Sequence, residues 1–172
     1  MTLNSEFAHP EYLVDAEWVD MHKGDPNVVV VDSDVPEGYR RGHIPGSVMV
    51  PDNWEKDPDT DRIHIMNPKQ FASMCESLGI GDKSEVVAYD GSQSLYAARL
   101  WWSLIYYGHR KVKVLDGGWR RWVSEGRTIS FDRAEKGGST TFTPKSDDSV
   151  IAGVDELKRA CDMEDAVIWD VR

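Results

Sequence analysis

The sequence lacks three features that often reveal a protein's class: many cysteines, an excess of positive charge and a long apolar run. Its two cysteines among 172 residues cannot form a disulfide framework. Its net charge of −10 argues against nucleic acid or an anionic membrane as a partner, because both need a basic protein face. No apolar run reaches the roughly 18 residues of a membrane span, and the first residues lack the pattern of a secretory signal. We therefore expect a soluble, cytoplasmic protein.

Both cysteines are expected to be buried on helices. Cys75 shares a helical stripe with Phe71 and Leu78, and Cys161 follows Leu157 by four residues. Neither cysteine lies at a junction between a loop and a helix start, where the pKa of the thiol would be lowered. We therefore predict that both thiols fill space in the core and that neither is a nucleophile.

Strand-like and helix-like segments alternate along most of the chain. Residues 28–31 are successive valines, which is typical of a strand buried on both faces. Pro68 behind Asn67 is typical of a helix start, and Gly79 of a helix end. Residues 38–47 are predicted to form a loop with a tight turn, and the polar residues 51–67 a surface loop. The alternation predicts an α/β sandwich with a mainly parallel central sheet.

The end of the chain repeats the pattern of its beginning. Residues 150–170 match residues 12–32 without a gap, so that Val19 corresponds to Leu157 and Asp32 to Asp170. Between the two copies, residues 131–149 are polar and unpatterned. We therefore predict one domain over residues 1–130, a linker over residues 131–149, and the beginning of a truncated second domain over residues 150–172. On this interpretation the chain is a fragment of a two-domain protein.

The segment VVAYDGSQSLYAAR, residues 86–99, has the pattern of an anion-binding cradle. An apolar strand ends at Asp90, small polar residues follow, and a helix begins near Tyr96. The backbone N–H groups of such a loop and of the helix start converge on one point. In a parallel sheet, ligands bind at the carboxyl ends of the strands, which is where this loop lies. Asp90 stands at the first loop position, where a nucleophile is often found.

Three segments resemble the rhodanese-type sulfurtransferases in their two-domain form, the thiosulfate and 3-mercaptopyruvate sulfurtransferases. They are, in chain order, GHIPGS (residues 42–47), VVAYDGSQSLYAARLWWSLIYYGH (residues 86–109) and LDGGWRRW (residues 115–122). Their order and spacing match the family over most of residues 12–126. The resemblance implies a rhodanese-like three-layer α/β sandwich with a mainly parallel central sheet.

In that family a cysteine at the end of the strand carries the transferred sulfur as a persulfide. In the two-domain form, the first domain has aspartate there. The resemblance therefore implies that Asp90 occupies the cysteine position and that this chain contains no catalytic residue. It implies no metal and no other cofactor. The predicted inactive loop consists of Asp90, Gly91, Ser92, Gln93, Ser94 and Leu95.

The resemblance also implies roles for residues around the loop. Val35, Leu95 and Tyr96 match positions of a pocket wall toward the second domain, although some members have tryptophan at the position of Val35. Asp170 and Arg172 match positions that support the catalytic loop of the second domain. Bracing of the loop and filling of the core are expected from Arg99, Trp101 and Trp102.

The activity implied for the complete protein is transfer of sulfane sulfur from thiosulfate to a thiophilic acceptor such as cyanide or a thiol. Its intramolecular partner is then the missing C-terminal domain. One alternative has 3-mercaptopyruvate as the donor, and another is a non-catalytic binding module with a rhodanese fold. A third, from the residues alone, is a Mg²⁺-dependent phosphatase of the haloacid dehalogenase type, because Asp32 and Asp34 follow an apolar strand.

Overall fold

The computed structural model describes residues 7–57, 59, 62–63, 65–134, 139–163 and 166–169. Strands and helices alternate within these ranges. The strands are β1 (Leu13–Val14), β2 (Val28–Asp32), β3 (Val48–Met49), β4 (Lys56–Asp57), β5 (Arg62–Ile63), β6 (Glu85–Tyr89) and β7 (Val112–Leu115). The helices are α1 (Ala16–His22), α2 (Pro36–Arg40), α3 (Pro68–Ser77), α4 (Leu95–Tyr106), α5 (Gly118–Ser124) and α6 (Val154–Cys161).

Five strands form a parallel sheet in the order β1-β7-β6-β2-β3. The prediction of a mainly parallel sheet is therefore confirmed. In the register between β2 and β6, Asp32 lies beside Tyr89. The two strands consequently end at the same level, and the residues after Asp32 lie next to the loop that begins at Asp90. This edge, formed by carboxyl ends of parallel strands, is where ligands bind in such sheets.

Helices cover both faces of the sheet, as the three-layer prediction requires. On one face α3 and α4 pack against alternate strand residues, with Phe71, Leu100 and Val86 among the buried side chains. On the other face α1 and α5 contribute Val19 and Trp122 to a second core. Each strand side chain faces one core or the other because successive side chains of a strand point to opposite faces.

The start of α3 follows the prediction closely. Asn67 caps the helix by accepting a hydrogen bond from the N–H of Gln70, and the Gln70 side chain accepts one from the N–H of Asn67. This reciprocal arrangement satisfies two N–H groups that have no partner within the helix. Pro68 occupies the first helical position, where a missing N–H is harmless. Gly79 follows the helix with a φ of 79°, a conformation that glycine adopts without strain.

Two segments that we predict as loops contain regular structure. Residues 36–40 form α2, and β4 pairs antiparallel with β5 inside the predicted surface loop at residues 51–67. Both elements are too short to show a helical or alternating apolar pattern, so periodicity does not detect them. Pro36 at the first position of α2 is the one local signal of its start.

Residues 139–150 lie against the domain. The side chain of Phe142 is buried in the first core. The N–H of Lys145 donates to the carbonyl oxygen of Tyr107, and both the N–H and the hydroxyl of Thr143 donate to the Asp82 carboxylate. These two bonds lower the pKa of Asp82. The predicted division into domain, linker and second domain stays a prediction.

Helix α6 differs from the other helices in exposure, and here one prediction is wrong. Cys161 is exposed, although its spacing from Leu157 predicts burial. The side chains of Val154 and Leu157 are also exposed. The reason is that no described residue covers the apolar stripe of α6, whereas the stripe of Cys75 packs into the first core. Within the described part of the chain, no helix has the length and apolar character needed to cross a membrane.

Candidate functional site

The loop between β6 and α4 turns sharply after Asp90. Gln93 and Ser94 both have positive φ angles, 60° and 66°, which non-glycine residues rarely adopt. Ser94 immediately precedes α4, and its backbone lies in the left-handed region. As a result, the N–H groups of the loop and those of the first turn of α4 face the same side chain, the carboxylate of Asp90.

Four backbone N–H groups donate to this carboxylate. Oδ1 of Asp90 accepts from Ser92 and Ser94, and Oδ2 accepts from Tyr96 and Ala97, each at 2.8 Å. The residue is 2% exposed, so these bonds lie out of contact with solvent. Hydrogen bonds to an ionised acceptor are shorter and stronger than neutral ones, and a helix N-terminus favours negative charge. The cradle predicted from residues 86–99 is therefore present, and the chain's own anion fills it.

A second carboxylate holds the start of the loop. Oδ2 of Asp34 accepts from the N–H of Gly91 at 2.9 Å, and its Oδ1 accepts from the Ser92 hydroxyl at 3.2 Å and from the N–H of Val35 at 2.8 Å. Asp34 is 7% exposed. The sequence pattern predicts no loop contact for this residue. The available signal is its place two residues beyond the end of β2, the strand beside β6.

A buried polar group lies beneath the loop. Asp32 accepts from the N–H of Asp34 at 3.0 Å, and burial raises the pKa of its carboxyl to about 6. The charge of Asp34 acts in the same direction, whereas the Tyr89 hydroxyl and His43 act against it. Burial also raises the pKa of Tyr89 well above its ordinary value. Asp32 is the last residue of β2 and Tyr89 the last residue of β6, so both groups lie at strand ends next to the loop.

The other two sequence motifs converge on this point. In GHIPGS, the N–H of Ile44 donates to the Tyr89 hydroxyl at 3.2 Å, and the Ser47 hydroxyl lies 3.0 Å from the same oxygen. In LDGGWRRW, the N–H of Trp119 donates to the carbonyl oxygen of Asp90 at 2.9 Å. Gly118 approaches that carbonyl so closely that an added Cβ would lie 2.5 Å from it. The three motifs thus form one structural unit around the end of β6.

The predicted wall residues lie beside the loop. Val35 is 42% exposed and Leu95 is 67% exposed, and Tyr96 is half-buried. These exposed fractions leave apolar surface next to the filled cradle. Their role toward a second domain stays a prediction. Asp170 and Arg172, the predicted supports of a second-domain loop, lie outside the described residues.

The hydrogen bond of Arg99 goes to a segment other than the loop, and its bracing of the loop stays a prediction. Its guanidinium donates to the carbonyl oxygen of Glu55 at 3.2 Å and thereby joins α4 to the segment before β4. Arg99 lies four residues after Leu95 and therefore on the same face of α4, one turn further from the loop. The indole of Trp102 donates to the carbonyl oxygen of Val150, which fastens the start of the segment that leads to α6.

The two thiols offer no nucleophile at the loop. Cys75 is fully buried in the first core, and burial raises the pKa of its thiol well above the ordinary value. Cys161 lies on α6. The described residues contain no group of three or more His, Cys, Asp or Glu side chains that could hold a metal ion. Both oxygens of Asp34, one of the two aspartates of the phosphatase hypothesis, already accept hydrogen bonds from the protein.

Comparisons with known proteins agree on one family. The profile of the rhodanese-like domain matches residues 15–125. The chain is 34% identical over 154 residues to the sulfur carrier protein TtuD of Thermus thermophilus, a match that covers 88% of this chain and 53% of that protein. It is 36% identical over 130 residues to the putative thiosulfate sulfurtransferase SseA of Mycobacterium tuberculosis, covering 74% of this chain and 43% of that protein. The chain thus spans about half the length of these curated relatives.

Among solved structures, the 3-mercaptopyruvate sulfotransferase SseA of Escherichia coli superimposes with a TM-score of 0.76. The identity is 24%, and the match covers 87% of this chain and 61% of that one. At this identity the likeness shows the fold alone.

Proposed function

Because the chain belongs to the rhodanese-like domain family, we propose that it is the non-catalytic domain of a two-domain sulfurtransferase. The observation that carries the proposal is the Asp90 carboxylate, held by four backbone N–H groups at the end of β6. In this family the reactive group at that position is a sulfur atom. A carboxylate has no sulfur atom that could be transferred. Because it already accepts from these four N–H groups, none of the four is free to bind another anion.

The complete protein then transfers sulfane sulfur through a cysteine persulfide located outside this chain. A thiolate attacks the outer sulfur of thiosulfate, the S–S bond breaks, and sulfite leaves with the bonding electrons. Cyanide or a thiolate next attacks the outer sulfur of the persulfide and regenerates the thiolate. The names of the mycobacterial relatives support thiosulfate as the donor, and 3-mercaptopyruvate stays the alternative.

In this protein the domain supplies an apolar wall rather than a reactive group. Val35, Leu95 and Tyr96 present apolar surface beside the filled loop. Such a wall excludes water and stray thiols from a persulfide across the interface. Asp170 and Arg172 belong to the same proposal, as supports of the second domain's catalytic loop. The chemistry needs neither a metal nor an organic cofactor, and we place it in the cytoplasm.

The test is an assay of this chain with thiosulfate and cyanide. We expect no thiocyanate above the uncatalysed rate, and no gain of a sulfur atom in the mass of the protein after incubation with thiosulfate. A Cys161→Ser variant is the matched control, because it removes the exposed thiol and leaves the loop intact. Turnover that persists in this variant would refute the assignment of the loop as inactive. Turnover that is present in the unchanged chain and absent in the Cys161→Ser variant would assign an unexpected activity to Cys161.

A further inference from the structure

The loop at Asp90 is closed by two carboxylates rather than one. Asp90 occupies the N–H groups of Ser92, Ser94, Tyr96 and Ala97. The remaining N–H at the start of the loop, that of Gly91, donates to Asp34. A substitution at Asp90 therefore leaves a full negative charge in direct contact with the loop.

The space around Asp34 is shaped for a carboxylate. A Cβ added at Gly91 would lie 3.0 Å from Oδ2 of Asp34, and one added at Gly38 would lie 3.1 Å from Cγ and from Oδ2. The carboxylate thus lies between two residues that have no side chain. Its position is further set by the N–H of Val35 and the Ser92 hydroxyl. These contacts from α2, from the loop and from its own neighbour keep the charge at the loop start.

Among the ion pairs of the described residues, none includes Asp34. The ion pairs among the described residues join other carboxylates, such as Asp20, Glu85 and Asp116, to lysine or arginine. Asp34 is surrounded by neutral donors instead. A negative charge that is buried and not paired acts strongly over short distances, because little solvent screens it.

We propose that Asp34 is a second determinant of the closed loop, which excludes anions by its charge independently of Asp90. The inference rests on the proposed function in one respect, that the loop is a former sulfur site. It follows that a chain with cysteine in place of Asp90 takes up sulfur from thiosulfate, a dianion, more slowly while Asp34 keeps its charge than after Asp34 is neutralised. Asp34 acts as a positioning and specificity residue, since it touches the loop and no reacting atom.

The experiment uses three variants in a Cys161→Ser background, so that the native thiol left is Cys75, which is fully buried. They are Asp90→Cys, Asp90→Cys with Asp34→Asn, and Asp90→Cys with Asp116→Asn. Asparagine at position 34 keeps an oxygen for the N–H of Gly91 and removes the charge. Asp116 is the matched control, because it follows a neighbouring strand at the same edge of the sheet and pairs with Arg121. Thermal unfolding verifies that each variant is folded at the assay temperature.

The first readout compares alkylation of the introduced thiol by iodoacetate, an anion, and by iodoacetamide, its neutral analogue. We expect the rate with iodoacetate divided by the rate with iodoacetamide to rise about tenfold with Asp34→Asn. The same ratio should stay unchanged with Asp116→Asn. Equal ratios in all variants would overturn the exclusion role, because a purely structural role of Asp34 changes both rates alike.

The second readout is sulfur loading by thiosulfate. The thiolate attacks the outer sulfur, sulfite leaves with the electron pair of the broken S–S bond, and the protein gains one sulfur atom that cyanide removes as thiocyanate. We expect loading in the variant with Asp34→Asn at about ten times the rate with Asp34 present. If the alkylation ratio responds but no variant is loaded, the exclusion role stands and the origin of the loop as a sulfur site is refuted. If all variants load at one rate, Asp34 is not a determinant.

Discussion

The loop at Asp90 and helix α6 differ in how far their side chains are buried and contacted by the rest of the domain. In the loop, every carboxylate oxygen of Asp90 has two N–H donors and the residue is almost fully buried. In α6, no residue is buried, and the side chain of Val154 is 69% exposed. In the loop, the buried carboxylate has its hydrogen-bond donors within the domain. In α6, the described residues leave the apolar stripe uncovered. The comparison teaches that the Asp90 carboxylate finds all its hydrogen-bond donors within the domain, whereas the apolar stripe of α6 has no cover among the described residues.

The largest effect should come from emptying the cradle. Asp90→Ala leaves four buried N–H groups without an acceptor, and we expect it to lower the free energy of unfolding by about 4 kcal/mol. Urea unfolding followed by tryptophan fluorescence measures the change. Asp90→Asn keeps one carbonyl oxygen and should lose about half as much. A loss below about 1 kcal/mol in the alanine variant would show that water accepts the hydrogen bonds of these N–H groups nearly as well as the carboxylate does.

The next effect tests the contact between the loop and the LDGGWRRW motif. Gly118→Ala places a Cβ 2.5 Å from the carbonyl oxygen of Asp90 at a residue with a φ of 52°. We expect a loss of about 3 kcal/mol in the same unfolding measurement. Gly126→Ala is the control, because Gly126 also has a positive φ but open space around its Cβ position. It should lose only about 1 kcal/mol, and equal losses would mean that backbone strain alone explains both.

A third prediction concerns the pH dependence of stability beneath the loop. Burial raises the pKa of Asp32 from 3.8 to about 6 in the folded protein. The folded state therefore binds more protons than the unfolded state between these two values, so the contribution of Asp32 to stability falls as the pH rises through that window. We expect a loss on the order of 2 kcal/mol between about pH 4 and pH 6.5.

Asp32→Asn serves as the reference for this measurement, since it cannot ionise. The difference in unfolding free energy between the two proteins, measured across the pH range, isolates the residue from the other carboxylates. Asp82 and Asp147 have lowered pKa values and contribute the opposite slope at lower pH in both proteins. A difference that is flat from pH 4 to pH 7 would contradict the raised pKa of Asp32.

The smallest effect should come from α6. Leu157→Ser changes an exposed side chain, and we expect it to lower the stability of this chain by less than about 0.5 kcal/mol. The matched change Leu100→Ala in α4 removes a fully buried side chain and should lose about 3 kcal/mol. A loss of more than about 1 kcal/mol for Leu157→Ser would show that the apolar stripe of α6 packs in solution.

Much of the fold could be predicted because its signals are local. The β-branched residues 28–31, the cap at Asn67 and the glycine after α3 each set a backbone conformation within a few residues. The cradle could be predicted for the same reason, because strand, loop and helix follow one another without interruption. Helix α2 and the β4–β5 hairpin could not, since two to five residues show no period. Burial of Cys161 was predicted from a stripe that nothing in the described chain covers.

The sequence by itself determined the alternation of strands and helices, the place of the loop and the carboxylate at its first position. Only the tertiary structure decided that Asp34 completes the closure, that the GHIPGS and LDGGWRRW motifs meet at the end of β6, and that Phe142 is buried. The physical reason is the range of the interactions. Local patterns express backbone geometry and capping, which neighbouring residues control. The register of parallel strands joins Asp34 to Gly91 across 57 residues, and no local pattern records that pairing.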